Sequence, residues 1–161
     1  MCFHRPGWKA GRRPHAVRTE VEVRISFQEA GEYFRGLMLV IRADHRISPQ
    51  ESAIMERAGK ALGLEQEFCR NAMREILDNP WVEVSPPYFS DKTVAESFIL
   101  DGLMLALADG PLHAVELAWL RKVAAVNGLD DRWLDHERSS RSGVPPHSLR
   151  LNVEGAALTH V

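Results

Sequence analysis

From Ser26 onward, apolar and polar positions recur with helical spacing, and the pattern is written twice. The later copy is the easier to see. FILDGLMLALADGPLHAVE, Phe98 to Glu116, is a nearly unbroken apolar run that stops at Asp109-Gly110 and resumes as a new helical pattern carrying Glu116. The earlier copy is FRGLMLVIRADHRISPQE, Phe34 to Glu51. A constant offset of 65 maps Ala43-Asp44 onto Ala108-Asp109, Ile47 onto Leu112, Glu51 onto Glu116, Ala53 onto Ala118, and Gly63-Leu64 onto Gly128-Leu129. The repeating unit is an apolar helix, an acidic break, a second helix and a Gly-Leu stop.

Local signals place the elements. Ser26 and Glu29 make an S-x-x-E start for the first helix, in which Tyr33, Phe34, Leu37, Met38, Val40 and Ile41 cover more than one face. Ser48-Pro49-Gln50-Glu51 is a fuller start signal for the second: a Ser cap, Pro at the first helical position and Glu three residues after the cap. Ile54, Met55, Ala58, Ala61 and Leu62 form its apolar side, and Gly63 suits a left-handed stop. A third helix is expected from about Glu65 to Leu77, with Phe68, Ala72, Met73, Ile76 and Leu77 facing inward. Asn79-Pro80 ends it, and WVEVSPPYFS reads as an extended linker, the hinge between the repeats.

The fourth helix, about Asp91 to Ala108, is apolar almost all round and is therefore expected to be the most buried element. The fifth, about His113 to Asn127, uses Val115, Leu117, Trp119, Leu120, Val123 and Val126 as its apolar positions. A short sixth helix starts at Asp130 and includes Trp133 and Leu134. The expected fold is thus all-α, a bundle of about six helices built from two pseudo-repeats around a central buried pair, the first and fourth helices. Residues 1–24 form a basic flexible arm, 25–138 the helical domain with repeats at about 27–64 and 92–129, and 139–161 a loose tail. The stretch from Leu149 to Val161 within that tail has the option of docking as a strand or short helix.

Composition narrows the function. With 161 residues, 45% of them apolar, the chain can bury one real core. The net charge of −2 hides a division: residues 1–24 hold six Arg or Lys against two Glu, whereas residues 25–137 hold eleven basic against nineteen acidic groups. An acidic body argues against a nucleic-acid groove on the folded part and is compatible with cations. The basic arm can touch nucleic acid, anionic lipid or the acidic body, or remain a solvated tail, so peripheral membrane association stays open. Two cysteines, Cys2 and Cys69, are too few for a disulfide framework, and the N-terminus lacks the apolar stretch of an export signal. The expected setting is cytoplasmic, with no transmembrane segment.

The residues that can carry chemistry are the repeated carboxylates: Asp44 with Glu51, and Asp109 with Glu116. Each pair spans a turn between helices, and carboxylates supplemented by turn carbonyls are what hard divalent ions bind. Calcium, manganese, magnesium and zinc are not distinguishable on this ground. Helix capping explains Glu51 equally, and a turn explains Asp109-Gly110. Arg42, Arg46, Arg121 or Lys122 can serve as counterions in place of a metal. His113, with Asp109 and Glu116, makes a small nitrogen and oxygen cluster or a plain surface histidine. No EF-hand loop, G-x-S-x-G, phosphate loop, dinucleotide fingerprint or H-E-x-x-H occurs, so no enzyme is expected. Cys69, and Trp81, Trp119 and Trp133, read as packing residues.

At the two phrases of apolar helix, Ala-Asp and Glu, the chain resembles the TerB-like family, which is associated with tellurite resistance and occurs as the N-terminal part of some membrane-bound DnaJ-type co-chaperones. The resemblance covers about residues 27–135. The pattern A-D-G-x-h-x-x-x-E, with h apolar, is complete at Ala108 to Glu116, whereas His45 replaces Gly in the first copy. The resemblance implies an all-helical, non-enzymatic module with a metal-linked stress-response role or a place in membrane-associated complexes. It makes the acidic residues the implied metal ligands. The alternative is a protein-protein interaction or co-chaperone-type scaffold module with structural carboxylates and no bound ion.

Overall fold

The computed structural model describes residues 23–42, 46–142 and 150–159. In chain order these form β1 (Arg24–Ser26), α1 (Phe27–Arg42), α2 (Pro49–Ala61), α3 (Gln66–Asp78), α4 (Lys92–Ala106), α5 (Ala114–Val126), α6 (Asp131–Arg141), a 3-10 turn at Asn152–Gly155 and β2 (Ala157–Thr159). The fold is a helical bundle, and its two short strands make one parallel pair, Arg24 to Ala157 and Ser26 to Thr159. Residues 1–22 of the expected basic arm lie outside the described residues, while Val23 and Arg24 already belong to the folded body.

The helices start and stop where local chemistry directs. Ser26 Oγ accepts from the Glu29 amide at 3.2 Å, and Ser48 Oγ from the Glu51 amide at 3.1 Å. Asp91 and Asp130 cap α4 and α6 through the Thr93 and Arg132 amides, each at 2.8 Å. Gly63 and Gly128 take positive φ, 71° and 69°, and the following amides close back on Gly59 O and Ala124 O, both at 2.9 Å. That closure is the glycine stop that ends α2 and α5 alike.

The repeat is longer than the sequence signals indicate. α2, starting at Pro49, and α5, starting at Ala114, keep the offset of 65, and so do α3, starting at Gln66, and α6, starting at Asp131. Each half is therefore a three-helix unit. In each, the first helix packs on the second and third, and the second on the third. The halves also exchange contacts: α1 touches α5, and α4 touches α2.

The central pair is α1 and α4, which share the most extensive helix interface. Tyr33, Phe89 and Phe98 meet there as a ring cluster, with Tyr33 edge-on to Phe98 at 5.3 Å between centroids. Gly36 permits this approach, because a Cβ there would stand 2.7 Å from the Phe98 ring and 2.9 Å from Pro87.

Several expectations are corrected. The linker is extended as expected, and in addition it is pinned to the helices on either side. Arg35 donates to the carbonyls of Glu83 and Ser85 at 3.2 and 3.1 Å, Ser90 donates to Glu29 at 2.8 and 2.7 Å, and Asn127 bonds Phe89 N and Pro87 O, both at 2.9 Å. On α3 the inward residue is Cys69, not Phe68, which is exposed. Gly59 on α2 leaves the space that Cys69 Sγ fills, while Met73 and Ile76 are buried as expected. Burial pushes the Cys69 thiol above its ordinary pKa, in keeping with a packing role. Val115, Val126 and Trp81 are exposed rather than packed. The loose tail is loose in neither of its described parts: α6 runs to Arg141, and residues 151–159 dock as a 3-10 turn and strand, here called the strap.

Candidate functional site

The repeated glutamates occupy equivalent places. Glu51 and Glu116 are 1% and 2% exposed, and each caps the helix that it begins. The Ser48 amide donates to Glu51 Oε2 at 2.9 Å, and the His113 amide donates to Glu116 Oε1 at 3.1 Å. Their aspartate neighbours differ in standing. Asp109 is exposed in the turn after α4, beside Gly110 at φ 153°. Asp44 lies outside the described residues. His113 is exposed. Among the described residues no group of three or more His, Cys, Asp or Glu is placed to share a metal ion. Arg121 turns toward α6, where it pairs with Asp131 and, at 2.8 Å, with Asp135.

The chain's most elaborate polar centre is one that the sequence pattern did not single out. Asp101, in the middle of α4 and 1% exposed, accepts the Tyr33 hydroxyl at 2.6 Å, the Asn152 amide at 2.6 Å, the Asn152 side chain at 3.1 Å and the Val153 amide at 3.0 Å. Because the single Tyr33 proton goes to Asp101, the Ser97 hydroxyl, 2.9 Å away, donates to Tyr33. Burial raises the Asp101 pKa, against the four donors, which favour the anion. Burial and the neighbouring carboxylate hold the Tyr33 phenol well above its ordinary pKa, so it remains a donor. The signal that could have found this centre is a lone carboxylate inside the otherwise apolar FILDGLMLALA, since a buried charge requires partners.

The strap carries its own second anchor. Glu154 accepts the Leu151 amide at 2.8 Å and pairs with Arg57 on α2. Burial opposes ionisation of Glu154, but the Leu151 amide and the hydrogen bond and charge of Arg57 outweigh it and lower the pKa.

Between α1, α5 and the linker lies an open groove of about 300 Å³. Leu39, Val84, Val115, Ala118 and Trp119 line it, with Arg42 and Lys122 as its two cations. Trp119 is fixed by donating its indole N–H to Gly36 O at 3.3 Å, and Arg42 donates to Asn79 O at 3.4 Å. Val84 and Val115 are 57% and 61% exposed, and Trp81, on the same linker, is 90% exposed. No helix among the described residues is long and apolar enough to cross a membrane, so these side chains are not part of a helical span.

Two outcomes test the polar centre. Asp101→Ala leaves the Tyr33 hydroxyl with Ser97 alone and strands the Asn152 and Val153 amides, at a cost of about 3 kcal/mol or more. In a thermal melt this lowers Tm by roughly 6–12 °C, and hydrogen exchange at Asn152 and Val153 accelerates; an unchanged melt and unchanged exchange would contradict it. For Glu154 the folded pKa lies below the unfolded value, so its stabilisation is present above the ordinary carboxylate range and disappears as pH falls through the depressed pKa. The Tm gap between wild type and Glu154→Gln should therefore be open at neutral pH and close in acid. A gap that widens in acid has the wrong sign.

No family model matches this chain, and neither the curated proteins nor the solved structures contain a match.

Proposed function

We propose that this domain is a non-enzymatic module that holds a partner protein in the groove between α1, α5 and the linker. The observation that carries the reading is the open apolar lining of that groove: Val84 and Val115 stay largely in water although a Trp119 floor lies beside them. Covering apolar surface is favourable by about 25 cal/mol per Å², so a partner side chain seated on Val84, Val115 and Trp119 gains from removing them from water. The frame supports the same reading, since the groove walls are the central helix α1, the helix α5 and a linker pinned at Arg35, Glu29 and Asn127. The likeness to TerB-like domains of co-chaperones agrees with an interaction role in a cytoplasmic setting. Selection of a random peptide library on the full chain should return sequences whose affinity falls at least about tenfold, roughly 1.4 kcal/mol, on Val115→Asp. A library that returns only sequences indifferent to this change sinks the reading.

A second reading is a divalent-cation module in a tellurite or metal stress response. It is favoured by the equivalence of Glu51 and Glu116, buried at the same point of each half, with Asp109 exposed in the turn before Glu116. A metal-stripped sample melted with calcium, manganese, magnesium or zinc at about 100 times the dissociation constant would gain roughly 2.7 kcal/mol. The Tm rise should vanish in Asp109→Asn; if none of the four ions moves the wild-type melt, this reading is dropped.

A further inference from the structure

The pseudo-repeat supplies an internal template for what the groove binds. α2 lies against α4 as α5 lies against α1. Across the α2 and α4 pair runs the strap, with Leu151 and Val153 buried, the Asn152 and Val153 amides on Asp101 of α4, and Glu154 paired with Arg57 of α2. At the repeat offset of 65, Arg57 corresponds to Lys122 on α5, and Asp101 to Gly36 on α1. Across the α5 and α1 pair the linker takes the strap's place only in part. Pro87 packs at Gly36 and Phe89 is tied to Asn127, but beyond Val84 the surface toward Val115 and Lys122 stays open as the groove.

We infer that the groove receives a short segment of a partner protein with the strap's chemistry, two apolar side chains followed by a carboxylate. The apolar pair enters between Leu39, Val84, Val115 and Trp119, and the carboxylate meets Lys122 as Glu154 meets Arg57. Arg42 adds a second cation, because its counterpart just after α4 is the apolar Leu107. A segment with two carboxylates is therefore the better fit. The two cations stand on a body whose residues 25–137 carry eleven basic against nineteen acidic groups, so this face attracts an acidic segment where the rest of the body repels it.

The inference rests on the groove being a partner site, and the test separates the two. The probe is the octapeptide RLNVEGAA, the sequence of residues 150–157, titrated into the isotopically labelled full chain and followed by NMR. Shifts are expected at the Val84 and Val115 amides and the Trp119 indole. Affinity should fall at least about tenfold when the peptide's glutamate becomes glutamine, and equally with Lys122→Glu in the protein, while a second glutamate in the peptide should tighten it. Lys122 is exposed, so that variant keeps the fold. The inference is overturned if the groove signals do not move, if glutamine serves as well as glutamate, or if the only shifts are at Asn152 and Val153 through displacement of the resident strap. Concentration-dependent shifts of the groove signals without peptide would assign the groove to a second copy of the chain and also overturn it. A groove that still selects library peptides lacking an acid would leave the partner-binding module standing without the charge rule.

Discussion

A helix that is apolar on every side can be stable in water only if other elements enclose it completely, and α4 imposes that requirement on this chain. From Val94 to Ala106 nearly every side chain is buried. α1 covers one side, α5 and α6 cover others, α2 reaches across from the first half, and the strap lies over the remainder. The order of the elements follows from this single demand. α1 shares the demand, with nine of its own residues buried from Ala30 to Ile41, and the other helices turn their buried faces toward this pair.

On α4 itself Asp101 is the buried carboxyl, and its burial has to be compensated. Removing an ion from water costs several kcal/mol unless well-placed donors replace the hydration. Tyr33 supplies one donor from α1, and the backbone of Asn152 and Val153 supplies two more from a segment fifty residues downstream in the chain. The carboxylate therefore does what an apolar contact cannot: it admits only a strap whose amides arrive at one position. The parallel pairing of β2 with β1 and the Glu154 to Arg57 pair then follow from where the amides are held.

The two halves are one design with two kinds of cover. Helix starts, glycine stops and buried glutamates recur at the same offset, which is why Glu51 and Glu116 share a role as caps. The departures lie where the halves meet different chain segments. Gly36 in the first copy admits Pro87 and the Phe98 ring, whereas Asp101 in the second binds backbone amides. The strap closes the surface of one helix pair, and the shorter reach of the linker leaves the groove on the other.

Helix starts, helix stops, the identity of the central pair and the repeat itself were determined by the sequence alone. Each rests on local chemistry: a Ser or Asp side chain reaching an amide two or three residues on, a glycine free to take positive φ, an apolar run with helical period. Tertiary structure decided the rest, because it depends on which neighbour arrives. Phe68 and Cys69 are adjacent and both apolar, and only the gap at Gly59 selects Cys69 for the core. Val115 and Val126 have core chemistry, but they lie outward on α5, whose buried face is Glu116, Leu120, Val123 and Ala124. Asp101 stands inside an apolar run, and its donors come from a segment distant in the chain. Periodicity records that a face is apolar; what covers that face, and whether anything does, is set by long-range packing.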